Sequence, residues 1–293
     1  MGIDEKQINW KEVGLSNDFF FGKVMRNPDL CKKLLERILP ELDIEKIEYP
    51  ELQKTLRPDV DARSVRLDVY VKDNKETVYD IEMQAVNTKE LPQRSRYYQS
   101  MMDLQLIDAG QSYKNLNRSY IIFICLNDIF GLDRHKYTFE NLCLEDKTLK
   151  LDDKTTKIFL NAAGKLDDVS DELRAFLDYL AGKKIADPYV EELERAMNEA
   201  RNNREWRYEY MTLLMRDQEN QEIGKEIGKK MGEKIGKEIG KEIGKEIGKE
   251  IGEEKLSELI KKLLQANRTA DIVKVTENKE YRRKLYDEFH IME

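Results

Sequence analysis

Histidine is scarce in this chain: two in 293 residues, His135 and His290. A zinc centre built on several imidazoles, or a Ser-His-Asp triad, has little to draw on. His135 follows Arg134 in a polar stretch and reads as a surface residue. Cysteine is scarce as well. Cys31, Cys125 and Cys143 are odd in number and far apart, with no CxxC spacing, which points to reduced thiols of a cytoplasmic protein rather than a disulfide framework. Cys125 sits inside an apolar run and reads as packing. Long apolar runs are absent: the longest is about Tyr120 to Leu126, against the roughly 20 residues a spanning helix needs, so no membrane partner is expected. The opening MGIDEKQINW lacks the apolar core of a secretory leader, and Lys6 stands where a myristoylation signal needs Ser or Thr. There is no excess of basic charge: 51 Lys and Arg against 58 Asp and Glu leave a net charge of -7. That weighs mildly against a nucleic-acid partner, but whole-chain charge does not locate patches and a bound metal adds positive charge of its own.

What the chain does have is charge of both signs, 37% of its residues, and a mean hydropathy of -0.72. Its most informative stretch is Val65 to Gln84, VRLDVYVKDNKETVYDIEMQ. Leu67, Val69 and Val71 alternate with Arg66, Asp68 and Tyr70. After a polar turn at Asp73 to Glu76, Tyr79, Ile81 and Met83 alternate with Asp80, Glu82 and Gln84. Strand side chains have period two, so Asp80, Glu82 and Gln84 share one face, and a hairpin brings Asp68 beside them. Such a face is commonly just the wet side of an antiparallel sheet. Clustered carboxylates also repel unless they share a cation or a proton, and a hard divalent ion suits oxygen ligands. Spacing alone leaves both readings open.

Around this stretch the sequence predicts two helical pieces over 16–39, with Ser16, Asn17 or Asp18 able to cap the first and Pro28 starting the second. A first strand over Ile44 to Gln53 follows, interrupted by Pro50. A long helix is predicted over Leu91 to Tyr113, and a strand buried on both faces over Ser119 to Leu126. Short strands at Lys147 to Lys150 and Lys157 to Asn161 flank a turn at Asp152-Asp153. Helices over Val169 to Leu180 and Asp187 to Met215 come next.

Residues 223–254 are eight copies of a tetrad, mostly Ile-Gly-Lys-Glu, holding eight of the fifteen glycines. Each Gly costs a helix roughly 1 kcal/mol against Ala, while Glu–Lys pairs return about 0.2 to 0.5 kcal/mol. Four residues advance the helix by about 400°, so the Ile stripe drifts and makes no heptad seam. The repeat reads as a marginal helix and solvated spacer. Lys255 to Ala266 is amphipathic again.

Asp68 with Glu82-Met83-Gln84 resembles the PD-(D/E)XK nuclease signature with Gln in the Lys position. Together with NDFFFGKVM, RLDVYV, YDIEMQ, QRSRYYQSM and SYIIFICL, it makes residues 15–215 similar to the recombination-promoting nuclease, or putative transposase, family. The resemblance implies an α/β fold: a restriction-endonuclease-like core (helix, three strands, helix, strand) with its metal site at the open edge of the sheet, followed by a helical C-terminal extension. The expected boundaries are a nuclease-like domain over 15–183, a helical extension over 187–220, the repeat over 221–254 and a small helical segment over 255–293.

The activity it implies is a metal-dependent DNA endonuclease, using Mg2+ or Mn2+ and linked to recombination or mobile elements. Asp68 and Glu82 would hold the metal, with Asp18 as an outer ligand unless it only caps its helix. Gln84 would orient water, and Lys23 is one candidate for the charge the usual Lys supplies. Arg94 and Tyr97 would meet the substrate phosphate. Asp80, which shares the polar face of its strand with Glu82, reads on that ground as a carboxylate behind the ligands. The competing function is a catalytically weak or silent nuclease-fold protein that binds DNA or assembles. A structural protein organised by its repeat is a third. A homo-oligomer is compatible with each.

Overall fold

The computed structural model describes residues 10–49, 67–86 and 88–291. The expected strand residues Gln53, Val65 and Arg66 lie outside them. The chain forms two compact units, 1–213 and 214–293.

In the first unit, α1 (Asp18–Val24) and α2 (Pro28–Ile38) are capped by Asn17 and Asn27, whose side-chain oxygens accept from the first free backbone amides. Pro28 stands in the first turn of α2, where its missing N–H costs nothing. The strands β1 (Ile47–Glu48), β2 (Val69–Asp73) and β3 (Val78–Gln84) pair antiparallel. Helix α3 (Leu91–Leu106) then crosses to β4 (Ser119–Cys125), which runs parallel to β3. A parallel pair needs a crossover of this kind. With β5 (Lys136–Phe139) and β6 (Thr155–Asn161), the sheet order is β1-β2-β3-β4-β6-β5. This is the expected mixed α/β core. β4 is buried at every position, as its unbroken apolar run demands. Helices α4 (Asp171–Leu180) and α5 (Pro188–Asn202) complete the unit.

Several expectations change. Helix α3 stops at Leu106 rather than running to Tyr113: Ile107 is already extended (φ -134°, ψ 130°), and beyond it come a left-handed Gly110 and a short 3-10 turn over Tyr113–Asn115. Lys147 to Lys150 forms no strand. A single bridge joins Leu142 to Lys150, and the antiparallel partner of β6 is β5. That strand begins beside His135, which is buried rather than exposed. The imidazole Nδ1 lies 3.0 Å from Asp168 Oδ1, and its ring lies where any Cβ on Gly164 would come within 2.6 Å. The helix expected over Asp187 to Met215 breaks at Asn203, whose side chain caps the next one.

That next helix, α6 (Arg204–Gln265), is continuous through the whole repeat and crosses the boundary between the units. Its tetrad isoleucines are about half exposed, and an added Cβ on any tetrad glycine would meet nothing within 4 Å. The repeat is thus exposed along its whole length, and it is part of one unbroken helix where the sequence predicts a marginal one. In the second unit α7 (Thr269–Glu277) and α8 (Lys279–Glu288) pack their Val275 and Leu285 with Leu259 and Leu263 of α6. Among the described residues no helix is long and apolar enough to cross a membrane.

Candidate active site

The period of β3 puts Val78, Asp80, Glu82 and Gln84 on one face of the sheet. That face is not wet. Helix α3 lies over it, and Leu91, Tyr98, Met101 and Met102 pack with Val78, Ile121 and Phe123. Asp80 and Glu82 are 0% and 2% exposed, and Gln84 is half-buried. The site therefore sits on interior strands at one end of the β2–β3 pair, not along an outer strand of the sheet.

The pairing of Val69 with Ile81 and of Tyr70 with Asp80 sets Asp68 across from Glu82. The two residues are locked reciprocally. The Asp68 backbone N–H donates to Glu82 Oε1 at 2.9 Å, and the Met83 N–H donates to Asp68 Oδ2 at 3.0 Å. Helix α1 approaches from outside this pair. Gly22 lies so close that an added Cβ would stand 3.4 Å from the Asp68 carbonyl oxygen, which leaves no room for a larger residue without displacement.

One cation reaches into the cluster. Arg94 on α3 donates from Nη2 to Glu82 Oε2 at 3.1 Å and from Nη1 to Gln84 Oε1 at 2.7 Å. Its Nε and Nη2 also reach the Tyr98 hydroxyl, at 3.1 and 2.9 Å. Gln84 Nε2 donates to the Val86 carbonyl at 2.7 Å, so the amide is held at both ends.

The three carboxyl groups are all pushed well above the usual carboxylate range. For Asp68 the causes are burial, then the Glu82 charge, opposed by the Met83 N–H. For Asp80 they are burial, then Asp68. For Glu82 they are burial, then Asp80, opposed by the Asp68 N–H and by Arg94. Asp80 and Glu82 approach closely enough to hydrogen-bond if one carries a proton. As two carboxylates they are both acceptors, and neither Asp80 oxygen then has a partner. Burial also lifts the Tyr98 phenol to about 12, with the Glu82 charge adding to it.

The remaining expected residues separate. Asp18 is exposed in the first turn of α1, and Asn17 takes the capping role. Its charge still raises the Asp68 carboxyl, so it belongs to the rim of the cluster. Lys23 is buried, but its ammonium pairs with Glu209 and lies over the Phe19 and Trp206 rings, 5.1 and 5.4 Å from their centroids. Tyr97 is 36% exposed on α3. The partners of Lys23 could not be read from the sequence, since 186 positions separate it from Glu209. The grip of Arg94 on Glu82 and Gln84 had a signal: a basic residue one turn into the helix that follows the strand carrying them.

The donor set suits a hard cation. It offers oxygens only, and lone pairs remain on Asp68, Glu82 and Asp80 after the bonds above. Among the described residues no group of three or more His, Cys, Asp or Glu is placed so that it could hold a metal ion by itself. Mg2+ does not require one, because it keeps several waters and takes one or two carboxylates together with substrate oxygens.

The family described as PD-(D/E)XK nuclease family transposase matches residues 16–223, a span that contains α1, the hairpin and α3. No curated protein and no solved structure matches the chain.

Proposed function

The chain belongs to the PD-(D/E)XK nuclease family transposases, and on that premise we propose that it is a divalent-cation-dependent DNA endonuclease that hydrolyses phosphodiester bonds in recombination or in the movement of mobile elements. The observation that carries this reading is the reciprocal lock of Asp68 and Glu82 beneath α3. It fixes the half-buried Asp68 and the buried Glu82 side by side, with lone pairs left over on each.

Asp68 and Glu82 would hold Mg2+ or Mn2+. A bound divalent ion lowers the pKa of its water and polarises the scissile phosphate. Glu82 is oriented by Arg94 and by the Asp68 N–H, which sets the direction of its free lone pairs. Gln84 carries no charge. With Oε1 accepting from Arg94 and Nε2 donating to Val86, its second Oε1 lone pair is what remains for a water. Arg94 thereby places a guanidinium beside Gln84, where the superfamily pattern has its Lys. This takes Arg94 from phosphate binding to positioning, and it removes the need for Lys23. Asp18 and Tyr97 stay candidates for the rim, toward cation and substrate respectively.

One observation favours a second reading. Arg94 already neutralises part of the Glu82 charge, as it would in a silent nuclease fold that only binds DNA or assembles. Supercoiled plasmid separates the two. Incubated with millimolar Mg2+ or Mn2+, the protein is expected to nick or linearise it, and Asp68→Ala is expected not to. Plasmid that stays intact with both ions would leave the silent module as the correct reading.

A further inference from the structure

Two of the three carboxylates under α3 are held. Asp68 accepts from the Met83 N–H, and Glu82 accepts from the Asp68 N–H and from Arg94. Asp80 differs from both. It is 0% exposed, and with Glu82 also ionised neither Oδ1 nor Oδ2 has a hydrogen-bond partner. Across the strand pairs it stands opposite Tyr70 on one side and Ile121 on the other. A buried carboxylate without a partner is among the most costly arrangements a core can hold, and an apolar residue of similar size would fill the position at no such cost. The orphaned group also stands beside the other two: it shares the Glu82 face of β3, one residue pair further along from the facing pair of Asp68 and Glu82.

We propose that Asp80 is the third carboxylate of the cation site, contributing its charge to holding one divalent ion bound by Asp68 and Glu82. The proposal rests on reading the hairpin as a cation site and extends it to a residue behind the ligand pair. Ionised, the three carboxylates face the Arg94 guanidinium with a surplus of two negative charges, which a single divalent ion balances. Groups that act behind a ligand commonly change metal affinity by about 10- to 100-fold when removed.

The test is calorimetric titration of the full chain with Mn2+, without DNA, for wild type, Asp80→Asn and Asp80→Val. The amide keeps the shape of the carboxyl, and Val suits a buried strand position. Melting curves without metal identify which variants are folded. The expected result is Mn2+ binding to wild type, with affinity about 10- to 100-fold weaker in each folded variant. A folded variant that binds Mn2+ as tightly as wild type overturns the role of Asp80 while leaving the Asp68–Glu82 site standing. A wild type that takes up no Mn2+ overturns the cation site and Asp80 with it.

Discussion

The hairpin under α3 and the repeat of α6 are both rich in charge, and they treat it in opposite ways. In the hairpin, Asp80 and Glu82 are almost fully buried among Val78, Ile121, Phe123 and Met102. In the repeat, Lys and Glu alternate along a helix that is exposed throughout. Ion pairs there, such as Lys230 with Glu226, contribute little each, because water screens them. Charge in water is easily kept and specifies little. Charge taken out of water must be compensated, and at Asp80 no hydrogen-bond donor supplies that compensation. Side-chain identity should therefore matter strongly in one region and weakly in the other.

The largest effect is expected at the ligand pair. Asp68→Ala and Glu82→Ala should each abolish cleavage, since a cation that stabilises transition-state charge supplies several kcal/mol and each 1.36 kcal/mol is about tenfold in rate. Both variants should stay folded with little change in metal-free melting, because relief of the repelling set offsets the acceptor lost to the Met83 N–H in Asp68→Ala and to the Asp68 N–H and Arg94 in Glu82→Ala. Their melting temperatures should respond less to Mg2+. Single-turnover cleavage and melts with and without the ion check this. A variant that cuts normally would remove the hairpin from the chemistry.

Arg94→Ala comes next. It strips Glu82 and Gln84 of a donor and should lower stability by about 1.5 to 3 kcal/mol, the range for hydrogen bonds to charged groups; the partial exposure of Arg94 places it toward the lower end. Cleavage should fall as well, with Arg94→Lys recovering part of it, since Lys keeps the charge but not the fork that reaches both acceptors. Gln84→Ala should cost less than the roughly 2.7 to 4 kcal/mol of a lost oxyanion contact and leave Mn2+ affinity largely intact. Gln84→Lys should be folded but no more than modestly active, because its ammonium would meet the Arg94 guanidinium. A Lys variant far faster than wild type would mark the natural protein as a weakened nuclease.

How much of this was legible turns on the same contrast. Period-two alternation placed Asp80, Glu82 and Gln84 on one face, and the hairpin brought Asp68 to them, because strand geometry is local. Which face was buried was not legible: a polar strand face looks wet until α3 is laid over it. His135 misled in the same way, since its polar neighbours gave no sign of Asp168 or Gly164 closing around it. The helical breaks came at an extended Ile107 after Leu106 and at an Asn203 cap, which periodicity passes over. In the repeat the exposure was legible from the tetrad itself, but the unbroken course of α6 was not, because eight glycines lower helix propensity.

A smaller effect should appear in the pH dependence of stability without metal. The Asp68, Asp80 and Glu82 carboxyls are raised above their ordinary values by burial first and by one another second. Below pH about 4 they are protonated in both folded and unfolded chains and impose no penalty. As pH rises past that point the unfolded chain releases these protons while the folded chain retains them, so stability falls until the folded pKa values are passed. Asp80→Asn removes one such group. Its melting temperature, measured in a chelator from pH 4 to pH 8, should gain on wild type as pH rises. A difference that stays flat would mean that burial of Asp80 carries no such penalty.

The smallest effect on cleavage is expected in the repeat. A Cβ added at Gly236, Gly240 or Gly244 would meet nothing within 4 Å, so Ala fits without displacement. Each change should favour the helical state by roughly 1 kcal/mol, because the unfolded segment loses backbone freedom it would otherwise regain. Hydrogen exchange should report this as slower opening of α6 across the substituted tetrads. Cleavage per active site should not change, nor should the melting of the first unit, whose buried residues the substitutions do not touch. Shortening the repeat from eight copies to four should likewise leave turnover nearly unaltered, while taking about 24 Å from the helix at 1.5 Å per residue. If the Ala variants instead lower cleavage, or speed exchange in α6, the glycine face is in use by something that needs its backbone bare. The contrast between a demanding hairpin and a tolerant repeat would then be wrong, and the repeat would have to be counted as part of the working machinery.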